Sequence, residues 1–284
     1  TFTDEWVRSN PNQAIQTRYF MGPEQDALET KLTPLTREWR RGRVEMAKRG
    51  LSELAKFDTA HLTDPQRVSA DLMKWQLEVV IEGEQYDDFV FPLEQFAGAN
   101  IGLVNTLTVV HPLNTEKDAL NYIARLGQVS ARMDEATAEA RELAAKGMVP
   151  PRFIVGATLA QMKQFIGAPA AQNPYVTVFA ERMNASGTVP QSRRDELRAQ
   201  AERITAAQID PAWQRAIAAL EPLLAATTDD AGLWRFKGGD AAYAYQLRRF
   251  TSTTLSADEI HQIGLSEVAR IETEMDAILR RLGR

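Results

Sequence analysis

The polar and apolar positions of this chain follow the period of an α-helix along most of its length. In residues 62–83, large apolar side chains recur at spacings of four, three and four, which places them on one helical face: Val68, Leu72, Trp75 and Val79. Residues 191–208 and 210–226 also carry helical patterns. The chain shows no internal repeat and no long linker. We therefore predict an all-α, mainly helical fold in a single domain over residues 1–284.

Several of these predicted helices carry signals for their ends. Thr63 can cap the helix that follows it, and Pro65 suits a first helical turn. Thr115 is followed three residues later by Asp118, which is the spacing of a capping box. Gly147 comes after a helical stretch, where glycine commonly ends a helix.

The last predicted helix has the strongest pattern. Ser256 and Glu259 have the spacing of a capping box. Beyond them, mostly apolar residues alternate three and four positions apart and form what we call the C-terminal seam: Gly264, Val268, Ile271, Met275, Ile278 and Leu282. Charged residues at helical neighbour spacing, such as Glu267 and Arg270, occupy another side. We expect the C-terminal seam to be a continuous buried surface, which requires something to pack against it.

One region, around residues 86–113, interrupts the helical rhythm. No formal charge lies between Glu94 and Glu116, and prolines and glycines argue against one unbroken helix: Pro92, Gly98, Gly102 and Pro112. We predict an irregular or extended buried segment here, with a short strand near residues 106–110.

Charge and composition narrow the range of partners. The 33 basic and 38 acidic residues are well mixed and leave a net charge of −5, so a nucleic-acid partner is not expected. No apolar run reaches the length that a membrane span needs. The chain contains no cysteine, which excludes thiolate metal sites and cysteine nucleophiles.

His261 is the histidine with the clearest pattern around it. Extending the C-terminal seam one step back from Gly264 reaches His261, which places its imidazole on the packed side of the helix. Such a histidine can act as a ligand, a proton shuttle or a donor in a cleft wall. A hydrogen-bonded histidine in a helix interface is the alternative that we favour. Asp258 and His261 also resemble half of a helical metal site, but no second pair accompanies them.

The other candidates for chemistry carry weaker signals. His61 lies in a loop before a helix, where we expect it to be solvated, and His111 precedes a proline without a partner nearby in sequence. Tyr243 and Phe250 share a helical face, and we favour core packing for them over contact with a substrate. The chain has no His-Glu-x-x-His motif, no Gly-x-Ser-x-Gly elbow and no phosphate-binding loop.

Residues 238–275 resemble the bacterial domain-of-unknown-function 885 family. They combine a Gly-x-x-x-Tyr stretch, a Thr-Thr pair and a Glu-Ile-His-x-x-Gly-Leu-x-x-Val-x-Arg-Ile helix. Other stretches are similar to the family as well: FTDEWVRSNP at 2–11, FPLEQFAGAN at 91–100, DALNYIARL at 118–126 and AKGMVPPR at 145–152. The resemblance covers nearly the whole chain.

The resemblance implies a reaction class. Members of the family are similar to helical zinc metallopeptidases, whose His-Glu-x-x-Pro-Gly-His motif lies downstream of the Glu-Ile-His helix and has no counterpart here. The resemblance thus implies that this chain is the helical N-terminal half of a zincin-like fold. It implies no cofactor in this chain, with zinc expected in the missing C-terminal half. It also implies a periplasmic or secreted location after removal of an export signal.

If the resemblance holds, this chain forms one wall of a substrate cleft and is inactive by itself. The expected substrate of that cleft is a peptide. Our candidates for substrate contacts are Gln95, Asn100, Arg152, Tyr243, Tyr245, Arg248 and His261. The expected partner on the last helix is the C-terminal half of the same protein or another protein surface. The alternative is a stand-alone helical binding or scaffold module.

Overall fold

The computed structural model describes residues 1–58 and 60–283. These residues form α-helices, short 3₁₀ and π segments and connecting turns, and no β-strand occurs among them. The α-helices are α1 (Phe2–Arg8), α2 (Pro11–Thr17), α3 (Gly22–Glu29), α4 (Arg37–Leu54), α5 (Asp64–Gly83), α6 (Ala99–Asn105), α7 (Glu116–Leu126), α8 (Val129–Ala145), α9 (Arg152–Phe165), α10 (Pro174–Ser186), α11 (Gln191–Ile204), α12 (Asp210–Leu220), α13 (Leu223–Ala226), α14 (Gly239–Thr251) and α15 (Ala257–Arg281). The predicted all-α class is confirmed.

The chain divides into two compact units, Thr1–Ala231 (unit 1) and Gly232–Arg284 (unit 2). Unit 1 holds the main hydrophobic core, which runs from Leu32 to Leu220. A smaller cluster in the same unit joins the first three helices around Val7, Ala14 and Leu28. The single domain over residues 1–284 stays a prediction.

Aromatic side chains fill the centre of the main core. Tyr122 of α7 stacks on Phe179 of α10, with ring centroids 4.2 Å apart and planes 6° apart. Trp213 of α12 stacks on Phe165 of α9 at 5.0 Å and meets Tyr175 edge to face at 6.4 Å. Such ring pairs add about 0.5–1.5 kcal/mol beyond the burial of their area. They fix the positions of α7, α9, α10 and α12 relative to one another.

The predicted helix ends agree with the structure. Thr63 and Gln66 form a capping box at α5, Thr115 and Asp118 form one at α7, and Ser256 and Glu259 form one at α15. Gly147 follows α8 with a φ of +76°, a backbone conformation that glycine adopts without strain. These signals are local, which is why the sequence shows them.

The strand predicted near residues 106–110 is wrong. The polypeptide there is a π-helical turn, Thr106–Val110, which continues α6, and the N–H of His111 donates to the carbonyl oxygen of Thr106 at 3.0 Å. Leu107 is buried, whereas Val109 and Val110 are exposed. The run of β-branched residues favours a strand only where a neighbouring strand can pair with it. Helical hydrogen bonds satisfy this backbone locally instead.

Residues 86–98 are irregular, as predicted, whereas residues 99–105 form the helix α6. The segment is not buried throughout, since Val90 and Phe96 are exposed. A 3₁₀ turn, Glu84–Phe89, precedes a tight loop in which the N–H of Ala99 donates to the carbonyl oxygen of Pro92 at 2.8 Å. The carboxylate of Glu94 accepts a hydrogen bond from the N–H of Phe96 at 2.8 Å. This loop delivers the chain to the start of α6.

The C-terminal seam is exposed rather than buried in the structure. Its apolar side chains lie on α15 or, for Leu282, directly after it, with between 46% and 70% of their surface accessible: Val268, Ile271, Met275, Ile278 and Leu282. Every residue of α15, residues 257–281, is at least partly exposed. The prediction of a buried seam was wrong for this chain. Helical periodicity shows that these residues share one face, but it does not show whether another part of the protein covers that face.

Candidate functional site

A pocket of ≈ 120 Å³ opens in unit 1 between α6, α9 and α12. Its lining includes three buried residues, Asn100, Met162 and Trp213, and three partly buried apolar ones, Ile101, Val104 and Phe165. Asn105 and Gln161 also line it and are exposed, so they lie at its mouth. We call this site the α6–α9–α12 pocket.

Asn100 is the most unusual residue of the pocket. Its side chain is only 4% exposed, yet neither its Nδ2 nor its Oδ1 has a hydrogen-bond partner among the described residues. An unsatisfied buried polar group costs about 1–3 kcal/mol. Native proteins rarely keep such groups. Both amide atoms are buried, so they do not belong to the accessible surface of the pocket.

Trp213 adds a second unpartnered donor. The residue is fully buried, and its Nε1–H has no hydrogen-bond acceptor within the described residues. The indole is held between Phe165 and Tyr175 by the ring contacts given above. These contacts fix the position of the indole in the core.

The mouth of the pocket involves another of the predicted residues. Gln161 Nε2 donates to the backbone carbonyl oxygen of Gln95 at 3.3 Å, which ties the loop before α6 to α9. Gln95 itself is partly buried. The structure thus brings Gln95 and Asn100, both predicted as substrate contacts, to one region of unit 1. Among the residues that the structure describes, no ionisable side chain lines the pocket.

Arg152, the third candidate in unit 1, holds the chain after α12. Its Nη2 donates to the carbonyl oxygen of Thr227 at 2.8 Å, its Nε to that of Leu224 at 3.2 Å, and its backbone N–H to that of Thr228 at 2.8 Å. It also lies 3.6 Å from the carboxylate of Asp229. These contacts describe a structural anchor, and Arg152 does not line the α6–α9–α12 pocket.

The remaining candidates belong to unit 2. Tyr245 is buried, and the guanidinium of Arg248 lies 5.9 Å from the centre of its ring. Tyr243 and Phe250 are exposed, at 50% and 77%, so the favoured core packing of these two residues was wrong. Helical spacing put them on one face correctly, but that face is accessible.

His261 is exposed on α15, so the prediction of a packed imidazole was wrong. The reason is the same as for the C-terminal seam, since His261 extends that accessible face. Asp258 and His261 do not belong to a metal-binding group: within residues 1–58 and 60–283, no cluster of three or more histidine, aspartate or glutamate residues could hold an ion.

Sequence reasoning missed a buried polar cluster around His111. The side chain is 1% exposed. Arg125 Nη1 donates to His111 Nδ1 at 2.8 Å, so the ring proton is on Nε2, which donates to the carbonyl oxygen of Asp118 at 2.8 Å. Arg125 also donates to Asn12 Oδ1 at 2.7 Å and to the carbonyl oxygen of Lys31 at 3.1 Å. The cluster is structural because each ring nitrogen and the guanidinium are satisfied by protein groups.

Burial makes this histidine neutral. The loss of hydration lowers the pKa of His111 to about 4, and the nearby charges of Arg125 and Arg182 act in the same direction. Burial also lowers the pKa of the Arg125 guanidinium to about 10. No local sequence motif predicts this cluster, because Arg125 and Asn12 are separated by 113 residues in the sequence. The one visible signal was a histidine at the end of an uncharged, apolar segment.

The fold is all-α, and unit 1 carries a small pocket between α6, α9 and α12. The chain belongs to the family described as "Bacterial protein of unknown function (DUF885)", whose sequence model matches residues 15–284. The family resemblance seen in the sequence is therefore confirmed. A comparison with curated proteins finds no match.

A solved structure shares the fold. It is that of a protein described as a "putative lipoprotein" from Colwellia psychrerythraea, and it superposes with a TM-score of 0.77 at 22% sequence identity. The match covers 99% of this chain and 51% of that protein, so this chain spans about half the length of the solved relative. Within residues 1–58 and 60–283, every helix is too short or too polar to cross a lipid bilayer.

Proposed function

We propose that this chain is the helical part of a zinc-dependent, peptidase-like hydrolase. In this proposal it docks through the C-terminal seam onto the remaining half of the fold, which holds the zinc, and supplies one wall of the substrate cleft. The single observation that carries the docking step is the exposed apolar face of α15. Its occupant is the rest of the same protein.

The energetics favour a covered seam. A helix of 25 residues is about 37 Å long, so α15 offers an apolar stripe along several turns. Full burial of a Val, Leu, Ile or Met side chain stabilises a protein by about 1.5–3 kcal/mol. Covering the five half-exposed side chains of the seam would therefore contribute several kcal/mol of further stabilisation. Contiguous apolar surface of this kind marks an interaction site.

The charges on α15 fit the same arrangement. Arg270 pairs with Glu267 at 2.6 Å and with Glu274 at 2.7 Å. Exposed ion pairs of this kind stay solvated and contribute little to stability. The helix therefore has one polar face suited to water and one apolar face suited to a protein partner.

The comparisons support a partner of substantial size. The solved relative is about twice as long as this chain. The shared fold covers 99% of this chain but 51% of the relative. The zinc and the peptidase reaction come from the family resemblance of residues 238–275. In such a reaction, zinc polarises the scissile carbonyl and lowers the pKa of its bound water. The relative's description as a lipoprotein supports a location in the cell envelope for this protein too.

The substrate contacts proposed for this chain lie in both units. Gln95, Asn100 and Arg152 belong to unit 1, and Tyr243, Tyr245, Arg248 and His261 belong to unit 2. Tyr243 and His261 are exposed and thus accessible to a peptide. Arg152 and Tyr245 are engaged in contacts within their own units, which leaves them the weaker members of the set.

The first test is the intact mass of the protein together with the gene sequence beyond codon 284. A reading frame that continues to a His-Glu-x-x-Pro-Gly-His motif supports the proposal. The longer product should then bind about one zinc ion and hydrolyse peptides. A stop codon after Arg284 with a matching mass contradicts it, and a stand-alone binding or scaffold module becomes the function to pursue.

The docking step has its own test in the longer product. The double substitution Ile271→Asp and Met275→Asp should lower both peptide hydrolysis and the melting temperature, because it places charges in the apolar seam. Thr273→Asp is the matched control, since Thr273 lies on the opposite side of α15 and should leave both unchanged. Equal effects of the two changes would reject docking through the seam.

A further inference from the structure

We infer that the α6–α9–α12 pocket binds a branched apolar group of about four carbon atoms, which is the size of a leucine side chain. This inference rests on residues of unit 1 alone. It depends neither on zinc nor on docking through the C-terminal seam, so either proposal can fail without the other.

The surface that the pocket offers to a ligand is mostly apolar. Ile101, Val104 and Phe165 line it and are only partly buried, so their side chains are accessible. The amide atoms of Asn100 and the Nε1–H of Trp213 are buried, so a ligand in the pocket does not reach them. A ligand therefore meets mainly carbon atoms. A polar group would give up its hydrogen bonds to water here without gaining replacements.

The charge of the pocket excludes other classes of ligand. Among the described residues, none that lines the pocket is ionisable. A carboxylate or an ammonium group would therefore lose its hydration without meeting an opposite charge. Ordered water is disfavoured as well, because a buried water molecule needs about three hydrogen bonds to polar groups. An uncharged apolar group is the occupant that loses least on entering.

The volume of the pocket sets the size of this group. A volume of ≈ 120 Å³ corresponds to about four water molecules, at roughly 30 Å³ for each in the liquid, and thus to about four non-hydrogen atoms. Apolar cavities of about 150 Å³ in other proteins bind benzene or xenon. The side chain of leucine has four carbon atoms and matches the smaller volume.

The mouth of the pocket is polar. Asn105 and Gln161 line the pocket and are exposed, and Gln161 Nε2 donates to the carbonyl oxygen of Gln95 at 3.3 Å. Binding sites of this kind combine an apolar interior with a few polar groups that orient the ligand. An amphipathic ligand can thus place its apolar group inside and its polar part beside these two amides.

The test is a methyl NMR titration of the full chain with isobutanol and with N-acetyl-leucine amide. The methyl signal of Ile101 reports on the pocket and is assigned through Ile101→Val. We expect both compounds to shift it saturably at millimolar concentrations. Ile123, buried in the main core away from the pocket, and Ile263, exposed on α15, should not shift. The absence of a selective shift at Ile101 would overturn the inference.

A series of ligands tests the size and the charge of the group. N-acetyl-leucine amide should bind about tenfold or more tightly than N-acetyl-alanine amide, because three further carbon atoms leave water. The N-acetyl amide of aspartate has as many non-hydrogen atoms in its side chain as that of leucine, but it is charged, so it should not shift Ile101. Equal affinities across the series would contradict an apolar site.

Variants of the wall locate the interaction. Val104→Phe adds four carbon atoms, as many as the proposed group has, and should abolish the shift. Val109→Phe is the matched control, since Val109 is exposed outside the pocket, and it should change the affinity less than twofold. Val104→Ala widens the pocket and should strengthen the binding of benzene by about threefold or more, a gain that misfolding does not produce. Unchanged binding in both Val104 variants would reject the site.

The two compounds of the titration also separate the sources of the group. If N-acetyl-leucine amide shifts Ile101 as isobutanol does, the pocket accepts a side chain that belongs to a peptide. If isobutanol alone binds, the pocket takes a free small apolar molecule. Both outcomes support the inference, and binding of neither contradicts it.

Discussion

His111 shows how strongly the interior of unit 1 acts on a single residue. Its imidazole lies between the guanidinium of Arg125 and the carbonyl oxygen of Asp118, and Arg182 donates to its backbone carbonyl oxygen at 2.7 Å. Burial, reinforced by two positive charges, lowers its pKa from 6.5 to about 4. Protonation would also place a proton on Nδ1, against the donor of Arg125. The folded state therefore selects the neutral ring.

We predict a stability loss in mild acid that depends on His111. Between pH 6.5 and 4 the unfolded chain binds a proton at this residue and the folded chain does not, so the free energy of unfolding falls as the pH is lowered. From pH 7 to 4.5 this contribution is about 2 kcal/mol. Urea titrations at the two pH values measure this change. The free energy of unfolding of His111→Gln should fall by about 2 kcal/mol less than that of the wild type. His61→Gln, at an exposed histidine, should behave like the wild type.

Gly98 has a packing role that its neighbour Gly102 lacks. A Cβ atom at position 98 would come within 2.5 Å of Asn100 Oδ1 and still closer to the backbone nitrogen of Glu94. A Cβ atom at position 102 would meet no atom within 4 Å. Only glycine therefore fits the loop that leads to the pocket.

Two alanine substitutions should accordingly have opposite effects. Gly98→Ala should destabilise unit 1 by about 2 kcal/mol, because the backbone of Glu94 must move. Gly102→Ala lies inside α6 and should stabilise by about 0.5–1 kcal/mol through its helix propensity. Thermal unfolding of the two variants tests this difference. Equal melting temperatures would contradict the packing role of Gly98.

At the scale of elements, a charge cluster joins α4, α8 and the 3₁₀ turn between α5 and α6. Glu139 of α8 accepts from Arg40 and lies 3.3 Å from Arg37 Nε. The same two arginines pair with Asp87 at 3.1 Å and with Asp88 at 2.7 Å. Glu139 is 7% exposed, so its charge depends on these partners.

Removing the buried carboxylate should separate these elements. We expect Glu139→Ala to lower the free energy of unfolding by about 3 kcal/mol, because two half-buried arginines lose their shared partner. Glu139→Gln keeps the shape and should cost less. Glu142→Ala removes an exposed carboxylate 3.6 Å from Arg37 and should cost under about 0.5 kcal/mol. Urea unfolding of the three variants tests the order.

At the scale of the whole molecule, the two units differ in what they bury. The main core lies between Leu32 and Leu220 and thus wholly within unit 1. In unit 2, the buried residues of α14 are Gly239, Ala242 and Tyr245, and α15 has none. A unit needs its own core to fold alone. Unit 1 meets that condition from its own residues.

A chain that ends at Ala231 should therefore fold by itself. We expect residues 1–231 to show a single cooperative thermal transition and the near-ultraviolet circular dichroism of a packed aromatic core. Residues 232–284 expressed alone should unfold without a sharp transition, because they bury little apolar surface. A non-cooperative transition in the first fragment would contradict this division.

Local features of the fold could be read from the sequence. The capping boxes at Thr115 and Ser256 appeared where predicted, since a cap involves residues only three positions apart. The strand predicted near Thr106–Val110 failed because its residues favour a strand only beside another strand. Within the candidate site, Asn100 was singled out as a polar group in an apolar segment, but Trp213 was not, since nothing in its stretch shows that its Nε1–H lacks a partner.

The sequence by itself determined the all-α class, the main helices with several of their ends, and the family. Helical periodicity, caps and motifs each depend on residues that are close together in the sequence. Only the tertiary structure decided which apolar faces are covered, that His111 meets Arg125, and that Asn100 and Trp213 share a pocket. These facts depend on residues brought together from distant parts of the chain, and burial is a property of that packing rather than of any one helix.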